Sequence, residues 1–530
     1  MKPIIQSRRL VDILQTLPSD CWSEERSGSV GDIVVEHITP NSQSCREGSL
    51  FVAIRGTRCD GAAYIPEAVR RGAVCVALEE AQATQLAGQE STSVPVLYVK
   101  DSRRFMSILS QAFFDYPARR LSVVGITGTS GKTSTSYITQ RLLECAGIPC
   151  AMLGTTGYFM PDGEAFPPDT LPATTPEPFL LNEYLHEALR RGAQVAVLEV
   201  SSFALAFERV SGMSFAVAVF TNFSEDHLGY HHTMNDYLMA KLKLFTGLAG
   251  ESTAVLNADD LAFPAFKDAC TTGHIVTYSS TGLADLRASN IKSERGRTTF
   301  SLSLEDGTCF PVDLGVGPAY QVSNCLAALG AVRAVAPAVG IRQMTAGLAR
   351  DIYIPGRYER IVCGQPFEVI VDYAHTPEEF TALFSAVKSV ITGDMIVVFG
   401  SVGADDREKR PRMAQLAERA CRWSYVTVED PRGEDAGIAV ADIVRGFETG
   451  RYSVLKDRRD AIRAAMALAR PGDAVLVLGR GHEQVMYYQH DNVRFDDRDE
   501  CRSALSELNY PSGPRLARQT DGDAGDSATV

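Results

Sequence analysis

Between Gly125 and Thr133 the chain reads Gly-Ile-Thr-Gly-Thr-Ser-Gly-Lys-Thr, a spacing suited to holding phosphate. Glycine-rich turns aim backbone N–H groups at an anion, and a helix starting at the loop's end adds partial positive charge. Lys132 can reach β/γ-phosphates, and the Thr133 hydroxyl can ligate Mg²⁺. Gly128, Thr129, Ser130, Gly131 and Ser134 complete the cradle. The strict pattern asks for glycine six residues before the lysine, where Ile126 stands, so only the core Gly-x-x-Gly-Lys-Thr is present. The bland alternative is a glycine turn with a chance Lys-Thr. An apolar run before the loop, Leu121 to Ile126, and a helical pattern after it, Ser134 to Ala146, favour strand, loop and helix.

Other candidate chemistry stands where apolar runs end. Glu199-Val200-Ser201-Ser202 offers a carboxylate for a hard cation and hydroxyls for a substrate oxygen; alternatively the serines cap a helix. Asp226, His227, His231 and His232 lack the spacing of a zinc site on one helix face, so His227 is read as a Mg²⁺ partner beside a nucleotide. Lys241, within Tyr237 to Phe245, reads alone as a solvated lysine on an amphipathic helix. Asp372 ends a buried run and can accept from ribose hydroxyls. Gly400–Gly403, Glu429-Asp430-Pro431-Arg432 and Gly479–Glu483 end three more. Arg432 carries a fork suited to a carboxylate, or forms a surface salt bridge with Glu434 or Asp435.

The elements that must position these residues alternate. Strands are expected at Ser49–Ile54, Val74–Ala77, Val96–Val99, Val195–Val200, Ala216–Thr221 and Thr253–Asn257. Later ones are expected at Glu368–Asp372, Met395–Phe399, Trp423–Val428 and Ala474–Leu478. Strands alternating with helical stretches predict an α/β protein with mostly parallel sheets covered on both faces. Ligands then sit beyond the carboxyl ends of the strands. Tyr116–Arg120 and Ile354-Pro355-Gly356 read as boundaries, dividing the chain into 1–118, 119–355 and 356–510, with a polar tail, 511–530, expected to be disordered.

With 530 residues the chain exceeds one ordinary core. A net charge of −13 leaves no basic footprint for nucleic acid. No apolar run is long enough for a membrane span. The 12 cysteines form no Cys-x-x-Cys pair and no signal peptide is visible, so reduced thiols in the cytoplasm are expected.

Taken together, these residues resemble the Mur ligase family across nearly the whole chain. The resemblance is carried by Leu50–Ala53 with Asp60-Gly61, Gly128–Thr133, Ala173–Pro176, Glu199–Ser202, Thr221–Ser224 and Asp226–Leu228. It continues through Pro355–Arg357, Asp372–Pro377, Lys409–Pro411 and Gly481–Glu483. It implies a three-domain α/β protein: an N-terminal mixed α/β domain for a UDP moiety, a central phosphate-loop ATPase-type parallel sheet, and a C-terminal Rossmann-like domain for an amino acid. The implied activity is ATP-dependent addition of the third residue to UDP-N-acetylmuramoyl-L-alanyl-D-glutamate in peptidoglycan synthesis, by a monomer acting through an acyl phosphate. Lys132 and Thr133 would then serve ATP and Mg²⁺, with Glu199 and His227 as further Mg²⁺ ligands. Lys241 matches a carbamylated lysine, which reverses its solvated reading. Asn324 would meet adenine, and Arg357 and Asp372 the nucleotide from the neighbouring domain. Ser42, Thr57, Arg58 and Cys59 align with uridine contacts, and Thr174, Thr175, Ser201 and Arg209 with muramoyl-dipeptide contacts.

The chain also departs from that pattern, at Asn41 and Gln43, at Ala173, and at Phe203 and Phe207. In the amino-acid pocket Gly479, Glu483 and Arg432 match a diaminopimelate-type pattern, but its Asp-Asn-Pro-Arg motif reads Glu429-Asp430-Pro431-Arg432, so Asp430 replaces an asparagine; Asp405 stands where an arginine would grip the incoming carboxylate, and Arg407 is a candidate replacement. The charge of Asp430 should disfavour a carboxylate and favour a cation. The expected third residue is therefore not meso-diaminopimelate by default; lysine, ornithine or another diamino acid stays open. Two further readings are a diverged amide-forming ligase with another carboxylate acceptor and a nucleotide-binding scaffold without catalysis.

Overall fold

The computed structural model describes residues 6–23, 27, 30–56, 59–82, 92–166, 173–294, 296–403, 407–488 and 491–510. Thr57, Arg58, Asp405 and the expected disordered tail lie outside them.

Three sheets organise the chain. The N-terminal sheet has five strands in the order Trp22–Ser23, Val96–Val99, Ala73–Glu79, Ser49–Ala53, His37–Thr39. The C-terminal sheet has six, in the order Glu359–Arg360, Glu368–Asp372, Ala474–Leu478, Met395–Phe399, Trp423–Val426, Tyr452–Val454, parallel except for the first pair. The central sheet has ten strands. Its parallel heart runs Cys150–Gly154, Val195–Glu199, Ser122–Thr127, Val217–Phe220, Thr253–Asn257, His274–Ser279. Beyond it lie Leu286–Glu294, Arg297–Leu304 and Cys309–Leu314, the last two pairings antiparallel. The sequence reading did not expect this extension. Its burial alternates along each strand, the mark of a half-covered sheet rather than of the apolar runs used to find the others.

The central strands read as unbroken apolar runs because both faces are covered. Val124, Ile126, Val197 and Val219 join one cluster with residues of the helices Lys132–Cys145 and Gln321–Val335. Val123, Leu198, Ala218 and Phe220 join another with the helices Pro178–Arg190 and Met234–Thr246. Successive side chains therefore point to opposite faces, as the period of two requires. Register sets the site: Glu199 pairs with Ile126 and Phe220 with Thr127, so the phosphate loop, Glu199 and Thr221 leave the sheet side by side. Among the described residues no helix is long and apolar enough to cross a membrane.

Candidate active site

The phosphate loop is fixed by its neighbours. Gly128 has φ +150°, and a Cβ there would lie 1.9 Å from Thr221 Oγ1. Gly131, φ +84°, precedes the helix Lys132–Cys145, and a Cβ there would meet Asn324 Oδ1 at 2.4 Å. Glycine is required at both by conformation and by space. Ser130 N donates to Asn222 Oδ1 (2.9 Å), and Ser130 O accepts from Thr221 Oγ1 (2.7 Å) and Asn222 Nδ2 (3.0 Å). Lys132 curls over its own loop, donating to Gly128 O (2.9 Å) and Thr129 O (2.7 Å). Burial lowers its pKa, partly countered by Glu199 and Asp226.

Glu199 is completely buried beside this loop. Its Oε2 accepts from Thr133 Oγ1 (3.0 Å) and Thr155 Oγ1 (2.9 Å), and Oε1 accepts from Thr155 N (3.2 Å). Burial nevertheless pushes its pKa up. Gly154 makes the room, because a Cβ there would sit 2.0 Å from Glu199 Oε1. Lys241 is only 1% exposed, so the solvated reading of this lysine is wrong. The helix Met234–Thr246 turns it inward beneath the loop, where Nζ donates to Gly128 O (2.7 Å) and lies 4.4 Å from the centre of the Tyr237 ring. Burial and then the Lys132 charge hold its pKa well below the ordinary lysine value. His227 sits in left-handed backbone with Nε2 3.4 Å from Asp226 Oδ2, and burial lowers its pKa to about 4.

The C-terminal body closes over this floor. His482 Nε2 donates to Thr155 O across the cleft at 3.1 Å, and Arg412 bridges Glu225 (3.0 Å) and Glu378 (3.2 Å). Gly356 allows the approach: a Cβ there would lie 2.1 Å from His482 N. The Arg357 guanidinium stands 4.1 Å from the Tyr373 ring centre, and its Nε meets no hydrogen-bond partner among the described residues. Asp372 accepts from Tyr358 N and Ala374 N, and burial raises its pKa to about 6 against the pull of Arg357. Asn324 donates to Gln321 Oε1 (2.8 Å). A single cavity of about 840 Å³ is lined by Thr129 to Ser134, Asn324, His227, Lys241, Arg357 and Asp372.

The same cavity reaches Thr174, Thr175, Ser201 and Arg209, with Phe203 and Phe207 on its wall. Thr155 and Thr174 hydroxyls are 3.0 Å apart, Thr175 Oγ1 donates to Glu199 O (2.8 Å), and Arg209 donates to Thr175 O (2.7 Å) and pairs with Glu177. Ser201 does cap a helix, accepting from Ala204 N at 3.1 Å, while still facing the cavity. Ser42 is buried in the N-terminal body, donating to Glu67 Oε2 (2.8 Å), and Cys59 is exposed nearby in sequence.

The candidate amino-acid pocket corrects three expectations. Arg407 does not turn into it, because its guanidinium forks onto Asp442 (2.7 and 3.1 Å). Asp430 does not present free charge: it accepts from Arg432 Nε (2.8 Å) and Tyr487 N (2.7 Å). Arg432 therefore pairs with Asp430, next to Pro431, rather than with Glu434 or Asp435. Two further carboxylates stand near Arg432 among the described residues, Glu429 and Glu483. Glu429 Oε2 is buried with no hydrogen-bond partner among the described residues, and burial raises its pKa. Gly479 leaves the space, since a Cβ there would lie 2.3 Å from that oxygen. Burial lifts Glu483 to about 7, and Tyr373 Oη lies 3.5 Å from its Oε1.

Sequence reasoning missed Thr155, Gly154, Asp226 as the hub for His227, His375 (3.9 Å) and Lys409 (4.0 Å), and Glu379. Only Glu379 left a local signal: Thr376 and Glu379 have capping-box spacing.

Two α/β bodies meeting at a phosphate loop, with a buried carboxylate and hydroxyl beside it and a third body packed on the central one, define a nucleotide-handling class of protein. Family models match in series: "Mur ligase family, catalytic domain" at 34–114, "Mur ligase middle domain" at 126–332, and "Mur ligase, glutamate ligase domain" at 356–481. The chain is 38% identical over 492 residues to the UDP-N-acetylmuramyl-tripeptide synthetase of Roseiflexus sp. (strain RS-1), covering 89% of this chain and 95% of that one. It is 36% identical over 481 residues to the UDP-N-acetylmuramoyl-L-alanyl-D-glutamate--2,6-diaminopimelate ligase of Bacillus velezensis, covering 90% and 95%. A solved structure of an enzyme with that same ligase name superposes with TM-score 0.63 at 27% identity, covering 95% of this chain and 100% of that one. The chain belongs to the Mur ligase family, whose members are ATP-dependent ligases that form amide bonds.

Proposed function

We propose that this protein adds the third residue, a diamino acid, to UDP-N-acetylmuramoyl-L-alanyl-D-glutamate, spending ATP and passing through an acyl phosphate. The observation that carries the reading is the single cavity in which the phosphate loop, Glu199, His227, Lys241, Arg357 and Asp372 converge beside Thr174, Thr175 and Arg209. Residues 1–118 would hold the UDP end, with Ser42, Thr57, Arg58 and Cys59 in contact, 119–355 the ATP, and 356–510 the amino acid.

The donor set suits Mg²⁺. Glu199 is a buried carboxylate with a hydroxyl 3.0 Å away, and such hard oxygens, completed by phosphate and water, are what that ion takes. Thr133, Glu199 and His227 would hold it, and Lys241 after carbamylation; a buried, neutral amine is the form that reacts with CO₂. When bound, Mg²⁺ neutralises charge on the transferring phosphoryl group. The chain's own groups do the rest. Lys132 can swing from the loop carbonyls to the phosphates. The Thr174–Thr175 pair would orient the acceptor carboxylate for attack on the γ-phosphorus, with Arg209 exchanging Glu177 for it and ADP leaving. The bridge from His482 to Thr155 and the Arg357 guanidinium keep water from the mixed anhydride. The amine then attacks the acyl carbon and phosphate departs.

Two features support a cationic end on the incoming residue. Glu429, packed against Gly479, and Glu483, beside Tyr373, have pKa values raised by burial, which a nearby ammonium would relieve. Arg432 and Arg407, the guanidiniums nearest in sequence to a carboxylate-gripping role, are already engaged. Lysine or ornithine thus fits better than meso-diaminopimelate. A second reading, a different carboxylate acceptor, is favoured by the aromatic wall of Phe203, Phe207 and Tyr230, whose ring centres lie 4.9 to 6.3 Å apart.

The test is product mass spectrometry after incubation with the muramoyl dipeptide, ATP, Mg²⁺ and a panel of amino acids. A tripeptide product with ADP is expected. Absence of ADP with every acid and amine present refutes the function, and strong preference for meso-diaminopimelate refutes the charge argument.

A further inference from the structure

Glu379 belongs to the C-terminal body but ends in the phosphate loop. It is the third residue of the helix Pro377–Lys388, where its N–H donates to the capping Thr376 Oγ1 (3.3 Å). Its carboxylate crosses the cleft. Oε1 accepts from Ser130 Oγ at 2.7 Å, while Oε2 accepts from His375 N at 2.9 Å and lies 3.4 Å from His375 Nδ1. Burial works to raise its pKa, but His375, the Ser130 hydroxyl and the His375 N–H outweigh it and the net shift is downward, so the group is ionised at neutral pH. The Ser130 backbone is already committed to Thr221 and Asn222, which leaves its hydroxyl to face the C-terminal body.

A carboxylate here is chemically odd. The loop and helix N-terminus attract an anion, and the protein itself supplies one. A triphosphate on the same loop would place several negative charges beside this one, in a partly buried site where like charges repel strongly. We propose that Glu379 is a positioning residue that competes with the terminal phosphates for the loop and couples that competition to the C-terminal body. Nucleotide arrival releases the carboxylate from Ser130, and with it the hold on His375 and the helix start. Once the γ-phosphoryl group has left, the weaker charge of ADP lets Glu379 return and speeds nucleotide release.

This rests on the ATP reading, and the experiment separates the two. Calorimetry with ADP and with a non-hydrolysable ATP analogue, both with Mg²⁺, compares the wild type, E379Q and E379D. E379Q keeps an acceptor oxygen for Ser130 but loses the charge. It is expected to bind the analogue at least about tenfold more tightly, with a smaller gain for ADP. In turnover its KM for ATP falls and kcat falls with slower ADP release, while KM for the amino acid is unchanged; E379D, which keeps the charge on a shorter arm, binds the analogue closer to wild type than E379Q does. Unchanged or weaker analogue binding by folded E379Q overturns the proposal. A wild type that binds neither nucleotide overturns the ATP reading itself, and this proposal with it.

Discussion

Gly154 carries no functional group, yet its replacement by alanine should cripple the reaction. A Cβ at this position would lie 2.0 Å from Glu199 Oε1, 2.6 Å from Cδ and 2.9 Å from Cγ. Carbon and oxygen normally approach no closer than about 3.3 Å, so the carboxylate must retreat by more than about 1 Å. It then loses its bonds from Thr133 Oγ1 (3.0 Å) and Thr155 Oγ1 (2.9 Å) and, with them, its place beside the phosphate loop. A displacement of that size in a catalytic constellation costs roughly 10²-fold in rate. Folding should survive, because the obstacle is the end of a flexible side chain and Gly154 lacks the positive φ that would strain alanine. The assay is ADP release at saturating substrates, paired with thermal unfolding. The control is G250A, where a Cβ would meet nothing within 4 Å. A G154A enzyme that turns over within about threefold of wild type would refute the placement of Glu199 as a precise ligand.

Three other outcomes follow from the same geometry. ¹³C-labelled bicarbonate should give a carbamate carbon signal that is lost in K241M, along with activity; an unlabelled, fully active wild type would contradict the reading of the buried amine. Burial raises the Asp372 pKa from the ordinary carboxylate value of 3.8 to about 6, so its stabilising contribution is present below about pH 4 and is lost as pH rises through 6. D372N should therefore raise the unfolding midpoint at pH 7, by up to about 3 kcal/mol of stability, and leave it unmoved at pH 4; equal shifts at both pH values would dismiss the linkage. E429Q should raise KM for a diamino acid by roughly ten- to a hundredfold while acyl phosphate formation, followed by oxygen isotope transfer from acid to phosphate, persists. Unchanged amino-acid affinity would remove Glu429 from the pocket.

The strands that hold the chemistry were legible because burial on both faces forces unbroken apolar runs, each ending in a polar or glycine-rich turn. Ser122–Thr127 and Val195–Glu199 are of this kind, and their loops announce a phosphate site and a carboxylate. The half-covered strands from Leu286 to Leu314 alternate apolar with polar residues and carry no motif at their ends, so they passed unread.

The amino-acid order alone was enough to place the glycine-rich loop between a strand and a helix, because both depend on local pattern. It could not settle the state of a charge. Lys241 reads as solvated until the helix Met234–Thr246 is packed beneath Gly128 O, and Asp430 reads as a free anion until Arg432 and Tyr487 N close on it. Glu379 shows nothing but its spacing from Thr376 until two bodies are brought together. Whether an ionisable group is exposed, paired or buried depends on contacts between residues as far apart as Thr155 and His482, 327 positions, and only packing creates those contacts.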